Sequence, residues 1–250
     1  MITRGDTMEM TIHLDPDIFK IVKAGVKHIE ARVNDEKRRR LHVGDTLIFL
    51  ERPDEVKKIH AVVKKLDLYE NFEELVKHYN IKDLYLEDYT KEEFITLLER
   101  FYSREEQETY GVVAIDFEIR EKSCGVAVIK DGKVLLVHQT SSGNWSLTKG
   151  HVEENESEYE TAIREVKEET NIDVRIKDGF RKVITYNPKE NVKKDVVFFI
   201  GEPLNDDIIV QEGEIIEAKY VTREEAKELL EYKDAQDTID EIFDYYDSNM

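Results

Sequence analysis

The stretch GHVEENESEYETAIREVKEETNI, residues 150–172, decides how this chain is read. At a helical period of about 100° per residue, Ala162, Ile163 and Val166 share one sector, and Glu165, Glu168 and Glu169 share the neighbouring one. This spacing predicts a helix from about Glu156 to Asn171, with one flank for packing and another that collects three carboxylates. Like charges three or four residues apart on a helix repel by roughly a few tenths of a kcal/mol per pair, so an isolated helix does not favour the arrangement. A bound divalent cation reverses that sign, because Mg²⁺ prefers hard oxygen donors and commonly binds through carboxylates together with substrate phosphates. The competing reading of such a string is an acidic face turned to solvent.

On either side of this helix the patterning is that of strands. CGVAVI and KVLLVHQ precede it, joined by a turn at Asp131-Gly132, and strands are expected near 182–186, 195–201 and 215–221. Two closing helices follow; the last carries Ile239, Ile242, Phe243 and Tyr246 on one face, which is core packing. Residues 8–119 read as a separate α+β unit. Its strands fall near 8–14, 27–33, 46–51 and 58–69, with a helix at DIFKIVKAG that ends at Gly25. Two more helices are expected at FEELVKHY, capped by Asn71, and at KEEFITLLERFY, before GVVAIDFEI closes the unit as a strand. A short charged break at 120–122 separates the halves, giving two expected domains, 1–120 and 121–250.

Composition bounds the function. The 250 residues are 40% hydrophobic with 4 Pro and 11 Gly, enough apolar material for packed cores and too little Pro and Gly for a low-complexity chain. No apolar run approaches the ~18 residues of a membrane span, and the start, MITRGDTMEM, lacks the apolar centre of a signal peptide; a cytoplasmic location and no membrane partner are expected. The single Cys124 excludes an intramolecular disulfide or a thiolate metal cluster and is expected in the core. The net charge of -19, from 37 basic and 56 acidic residues, argues against non-specific attraction of nucleic acid to the whole surface. Residues 121–250 hold 17 basic and 30 acidic residues against 20 and 26 in residues 1–120, so the carboxylate helix lies in the more acidic half.

Gly150, then Glu156, Arg164-Glu165, Val166, Glu168-Glu169 and Ile172 resemble the Nudix box of nucleoside diphosphate hydrolases at every specified position but one. The exception is Asn171, where that family has glycine; Asn tolerates positive φ well enough to keep a helix terminus. The resemblance implies a Nudix α/β/α sandwich in which Glu165, Glu168 and Glu169, with the Gly150 carbonyl, ligate Mg²⁺ or Mn²⁺. Glu156 and Arg164 become the structural ion pair that holds the loop to the helix. The implied reaction is attack of a metal-activated water on a phosphorus of a nucleoside diphosphate-X compound, with a carboxylate of the cluster taking the proton.

NWSLTKGHVEENE resembles the diadenosine tetraphosphate hydrolase branch of that family through Trp145, Lys149, Gly150, His151, Val152 and Glu153, with Thr148 where the branch has proline. The resemblance makes Trp145, Lys149 and His151 candidates for binding a dinucleoside polyphosphate. KKDVVFFIGE is similar to the strand that stacks on the base, so Lys194 and Phe198 join the candidates. Phe198 and Phe199 point to opposite faces, so at most one of them stacks. Glu214, seven residues before Val221, stands where the family often has an additional metal-binding or catalytic glutamate.

In the first half, GVKHIEAR supplies Gly25, Lys27, Glu30 and Arg32, followed by DEKRRR and a Gly44-Asp45 turn. These residues resemble the GxKxxExR signature of the ASCH domain, a PUA-like β-barrel fold associated with RNA. Lys27, Glu30 and Arg32 then form a candidate ligand site for RNA or nucleotide, the alternative being an ion-pair network that braces the barrel. The acetylcytidine amidohydrolase activity of some small ASCH proteins is not expected, because Glu30 stands where those have Thr. The whole chain therefore reads as an ASCH domain fused to a Mg²⁺-dependent Nudix hydrolase of a dinucleoside polyphosphate such as diadenosine tetraphosphate. Two other readings remain: removal of pyrophosphate or a cap from an RNA 5′ end, and a nucleotide sensor without turnover. The intact Glu165, Glu168 and Glu169 argue against the sensor.

Overall fold

The computed structural model describes residues 7–249; residues 1–6 and 250, and with them most of the start read for a leader, lie outside the described residues. The chain divides into two compact units, one of residues 1–121 with 187–193, the other of 122–186 with 194–250. Both are mixed α and β, as expected. No helix is long and apolar enough to cross a membrane among the described residues.

The first unit contains β1 (Glu9–Leu14), α1 (Pro16–Lys23), β2 (Ile29–Val33), a 3-10 turn at Arg38–Arg40, β3 (Thr46–Glu51) and β4 (Lys58–Tyr69). Four short helices follow, α2 (Phe72–Leu75), α3 (Ile81–Leu84), α4 (Lys91–Glu99) and α5 (Arg104–Tyr110), and then the first part of β5 (Val112–Lys130). β1 is parallel to β3, the other neighbours are antiparallel, and the strand order is β1-β3-β4-β5-β2. Alternation along β5 feeds two cores: Val113, Ile115 and Phe117 pack with Met10, Ile12 and Phe49, while Val112 and Ala114 pack with Ile29, Phe72, Leu75 and Phe94. Residues 187–193 complete the unit, with Val192 in the first of these cores and Asn191 Nδ2 donating to Gly25 O at 3.2 Å. Gly25 has φ 77°, and a Cβ there would lie 2.4 Å from the Glu190 carbonyl oxygen, so the first residue of the GxKxxExR run answers a close backbone approach.

Two sequence expectations change here. The FEELVKHY helix is a single turn, capped as expected by Asn71, whose side chain accepts from Glu74 N. α3 and α5 carry no periodic signal in the sequence, because four and seven residues are too few to show a helical period. The expected break at 120–122 is strand: β5 runs unbroken from Val112 to Lys130. Backbone pairing decides this, and a strand accepts alternating charged side chains on an open face.

The second unit continues β5 and adds β6 (Lys133–Gln139), β7 (Trp145–Ser146), β8 (Thr148–His151), α6 (Glu158–Thr170), β9 (Val174–Lys189), β10 (Val192–Pro203), β11 (Ile215–Val221), α7 (Arg223–Leu229) and α8 (Lys233–Asn249). The turn at Asp131-Gly132 joins β5 to β6, and β6 lies between β7 and β11. Cys124, Val126 and Val128 of β5 face Ala162, Val166 and Ile172, while Ala127 and Ile129 face Ala226, Ile239, Ile242 and Phe243. Helices thus cover both sheet faces, the α/β/α arrangement that the resemblance implies.

α6 starts at a capping box, in which Ser157 accepts from Glu160 N and the Glu160 carboxylate accepts from Ser157 N. Its buried stripe is Thr161, Ala162, Val166, Glu169 and Thr170. Ile163, expected on the packing flank, is exposed at 41%; the sheet meets the helix one position away from the sector chosen from hydrophobicity, so two threonines take the place of an isoleucine. Asn171 ends the helix at φ 62° and ψ 5°, with its N–H donating to Lys167 O. Because a residue with a Cβ and no local polar support costs roughly 1–2 kcal/mol in this conformation, Asn171→Ala is expected to destabilise the second unit by about 1 kcal/mol, and Asn171→Gly to leave it unchanged or better, in urea unfolding.

Candidate active site

β8 lies antiparallel to β5, with Cys124 opposite Gly150 and Gly125 opposite Lys149, and this pairing holds the Lys149-Gly150-His151 backbone beside α6. The Glu165 carboxylate rests directly on Gly150: a Cβ at that position would fall 2.1 Å from its Cδ and both oxygens. Glycine here is a steric requirement of the carboxylate cradle. Glu169, 5% exposed, takes a hydrogen bond from Lys149 N at 3.2 Å on Oε2. Glu168, on the open side of the helix, has a side chain 49% exposed.

Arg164 ties these groups together. Its Nε and Nη2 donate to the two Glu156 oxygens at 2.6 and 2.8 Å, and Nη2 also donates to His151 O at 3.0 Å. Nη1 donates to Glu165 Oε1 at 2.7 Å and to Glu168 Oε2 at 2.9 Å. Glu156 further accepts from Thr161 Oγ1 and Glu153 N, and the Arg164 bonds hold its carboxyl down to about 2. The expected loop-to-helix ion pair is therefore present, and the guanidinium extends beyond it into the carboxylate cluster.

The electrostatics match that geometry. Burial pushes Glu169 up to about 8, opposed by Lys149 and reinforced by the charges of Glu165 and Glu214. Burial also raises Glu165, against the pull of Arg164. The Lys149 ammonium is lowered by its own burial, with Glu169 and Glu165 opposing. Among the described residues, no three acidic, histidine or cysteine side chains converge closely enough to hold an ion as they stand. The cluster is instead neutralised from within: Arg164 Nη1 lies between Glu165 and Glu168, and burial favours the neutral form of Glu169.

A proton held to about pH 8 has a consequence for stability. Below its ordinary value of 4.5, Glu169 is protonated in folded and unfolded chains alike. As pH rises from there toward 8, the unfolded chain releases this proton while the folded chain retains it, so the stability present at low pH is progressively lost. Without divalent metal, wild type is expected to lose about 3 kcal/mol more than Glu169→Gln between about pH 5 and 7.5, read from urea midpoints with chelator present.

The other expected residues are distributed as follows. His151 Nε2 lies 3.2 Å from Lys194 Nζ, so these two candidates meet. Thr148, in the branch's proline position, is buried and donates Oγ1 to Val126 O. Trp145 stacks on His138 with ring centroids 5.0 Å apart, and Lys219 Nζ sits 4.4 Å from the Trp145 centroid. Phe198 and Phe199 are both buried, in opposite cores, and Phe199 stacks on Tyr159. Neither ring is presented to a base, because both sides of β10 are covered by helices. Exposed Glu214 sits in the turn that starts β11, near enough to Glu169 to raise its pKa.

Several contributors had no linear signal. Gln211 N donates to Glu169 O, and Ile209 N to Thr170 O, fixing the 209–214 segment beside the C-terminal end of α6. Glu158, at the start of α6, is held by Lys122 at 2.5 Å and by Arg181 at 2.7 Å. These partners are 36 and 23 residues away in sequence, beyond any helical or strand period.

In the first unit, Lys27 and Glu30 are 3% and 5% exposed. Lys27 Nζ donates to Ile29 O and Leu84 O at 2.6 and 2.7 Å and lies 2.9 Å from Glu30 Oε2. Glu30 Oε1 pairs with Arg32 Nη2 at 2.7 Å, and Arg32 Nη1 donates to Tyr102 OH. Lys27 and Glu30 brace the unit from inside, and Arg32 alone of the three lines an open cleft.

Comparison with known proteins places these features. A NUDIX domain model matches residues 120–242, and an ASCH domain model matches residues 12–121. The asymmetrical bis(5′-nucleosyl)-tetraphosphatase of Sus scrofa is 35% identical over 112 residues, covering 42% of this chain and 76% of that protein. The chain belongs to the Nudix hydrolase family. The Mus musculus enzyme of the same name is 31% identical over the same share of each chain. Among solved structures, a C. elegans Ap4A hydrolase binary complex is similar at 25% identity and a TM-score of 0.47, covering 52% of this chain and 99% of that one. In this Nudix hydrolase, an ASCH domain thus stands ahead of the Nudix domain in one chain.

Proposed function

We propose that residues 121–250 form a Mg²⁺-dependent domain that hydrolyses a dinucleoside polyphosphate such as diadenosine tetraphosphate, and that residues 1–120 form a module that binds RNA or nucleotide. The observation that carries the catalytic reading is the seating of Glu165 and Glu169 against the Lys149-Gly150 backbone, with Glu168 beside them on the open side of α6. The names of the pig and mouse relatives support the substrate class.

The donor set fits a hard divalent cation. It offers three carboxylates, two of them raised by burial, and a glycine whose missing Cβ admits one of them. Glu165, Glu168 and Glu169 would hold the ion, with the Gly150 carbonyl as a further oxygen donor. A divalent ion bound there supplies neutralisation of phosphate charge and a more acidic water. Arg164 keeps its place through Glu156 and His151 O, so only its Nη1 contacts with Glu165 and Glu168 compete with a cation. Glu169 must release its proton to act as a ligand, and as a carboxylate it is suited to take one from water. Lys149, His151 and Lys194 provide donors for the phosphate chain on the same side.

The test is turnover of the full chain on diadenosine tetraphosphate and on 5′-triphosphorylated RNA, with Mg²⁺ and with chelator, products resolved by chromatography. Release of nucleotide products from diadenosine tetraphosphate with Mg²⁺ alone supports the proposal. Turnover that survives chelation removes the metal role, and turnover confined to the RNA moves the substrate to the RNA 5′ end.

A further inference from the structure

Arg32 leads out of the buried Lys27–Glu30 pair into a cleft of the first unit lined by Thr11, Ile12, His13, Arg32, Lys37, Arg38 and Arg52. Among the described residues, the lining holds four permanent cations and a histidine and not one carboxylate, in a chain of net charge -19. Much of its donor capacity is uncommitted. Arg32 Nε is buried without a hydrogen-bond partner although both terminal nitrogens of that guanidinium are engaged. Arg38 pairs with Asp35 through Nη1 only, and Arg52 reaches Asp15 no closer than 3.5 Å. Lys37 has no ion pair among the described residues, whereas His13 lies 3.1 Å from Glu55. A buried donor left unpaired is destabilising, and clustered cations repel, so the arrangement is stabilised by an anion that accepts from several donors at once.

The dimensions narrow the class of anion. The open cleft offers about 230 Å³, less than the roughly 300–1,000 Å³ of sites that bury a whole small molecule. It is sized for a charged group whose remainder lies outside. A phosphate monoester carries about -1.5 to -2 charges near neutral pH and three strong acceptor oxygens, which suits a cluster of guanidinium and ammonium donors better than a phosphodiester with one charge.

We propose that this cleft binds a terminal phosphate monoester, carried by a mononucleotide or by the 5′ end of a nucleic-acid strand. The proposal deepens the reading of the first unit as an RNA- or nucleotide-binding module and moves the contact from Lys27 and Glu30 to Arg32 and the surrounding surface cations. The tight bond network around Lys27 serves to set the direction of Arg32.

The experiment uses the full chain in low salt with chelator present, titrated by calorimetry with adenosine monophosphate and with one oligoribonucleotide carrying either a 5′ phosphate or a 5′ hydroxyl. Lys37→Ala/Arg52→Ala removes two exposed cations outside the Lys27–Glu30–Arg32 network, so folding is expected to be unaffected, checked by an unchanged melting temperature. Binding of the 5′-phosphorylated strand or of the mononucleotide is expected to weaken about tenfold or more in this variant, and the 5′-hydroxyl strand to bind wild type as weakly as the phosphorylated strand binds the variant. A preference for the strand shows the nucleic-acid end as the source, and equal binding of the mononucleotide shows free nucleotide. Oligonucleotide binding that ignores both the 5′ phosphate and the double substitution overturns the cleft while leaving the nucleic-acid reading intact. No binding of any probe by wild type overturns both.

Discussion

Glu168→Gln is expected to lower kcat for nucleotide hydrolysis by at least about 100-fold while leaving the metal-free melting temperature near that of wild type. The magnitude corresponds to about 2.7 kcal/mol of lost transition-state stabilisation, on the scale of removing one charged group from a preorganised site. The small structural effect follows from position. The Glu168 side chain is half exposed, it pairs with Arg164 Nη1 at 2.9 Å, and that guanidinium remains held by Glu156 and Glu165. Exposed pairs of this kind contribute about 0–1 kcal/mol. Steady-state kinetics with Mg²⁺ and thermal melts with chelator separate the two effects. Retained turnover would remove Glu168 from the chemistry, and a large loss of melting temperature would make it a structural residue.

Lys27→Ala should have the opposite profile. It deletes a buried cation that satisfies two main-chain carbonyls, Ile29 O and Leu84 O, and faces a 5%-exposed Glu30. Burial lowers the Lys27 pKa while Glu30 opposes; burial pushes Glu30 up, but Lys27 and Arg32 together outweigh it and hold that carboxyl low. Removing Lys27 leaves Ile29 O, Leu84 O and Glu30 Oε2 without their buried donor, with only Arg32 still paired to Glu30, at a cost of about 3–5 kcal/mol. The first unit is expected to unfold more than about 10 °C earlier in calorimetry, while hydrolysis by the second unit is retained below that transition. An unchanged melting temperature together with lost nucleotide binding would instead make Lys27 a ligand contact.

These two residues show where linear reading succeeds and where it fails. Both belong to short spaced motifs, and in both cases spacing placed the candidate side chains on one element: Glu165, Glu168 and Glu169 on one helix, and Lys27, Glu30 and Arg32 around one strand. Spacing does not give depth. Glu168 is open and Glu169 is buried although they are neighbours, because the sheet and the 209–214 segment cover one side of α6 only. In the first unit the helices pack over β2 and close Lys27 and Glu30 in, leaving Arg32 to reach the cleft. Ile163 was misplaced for the same reason: its hydrophobicity predicts packing, and the neighbouring elements meet the helix elsewhere. Phe198 followed likewise, since a strand's alternation tells which residues part ways and not which face is open.

Local rules determined a great deal on their own. The helix carrying the carboxylates, its end at a left-handed asparagine, the Asp131-Gly132 turn and the apolar faces of β5 and α8 all follow from periodicity and backbone preference, which act over a few residues. The tertiary structure alone decided that Arg164 Nη1 stands between two of the carboxylates, that Glu169 is buried deeply enough to hold a proton, and that a cleft of cations opens beside Arg32. Each of these depends on desolvation and on partners far apart in the chain, and neither quantity is defined until the chain has folded.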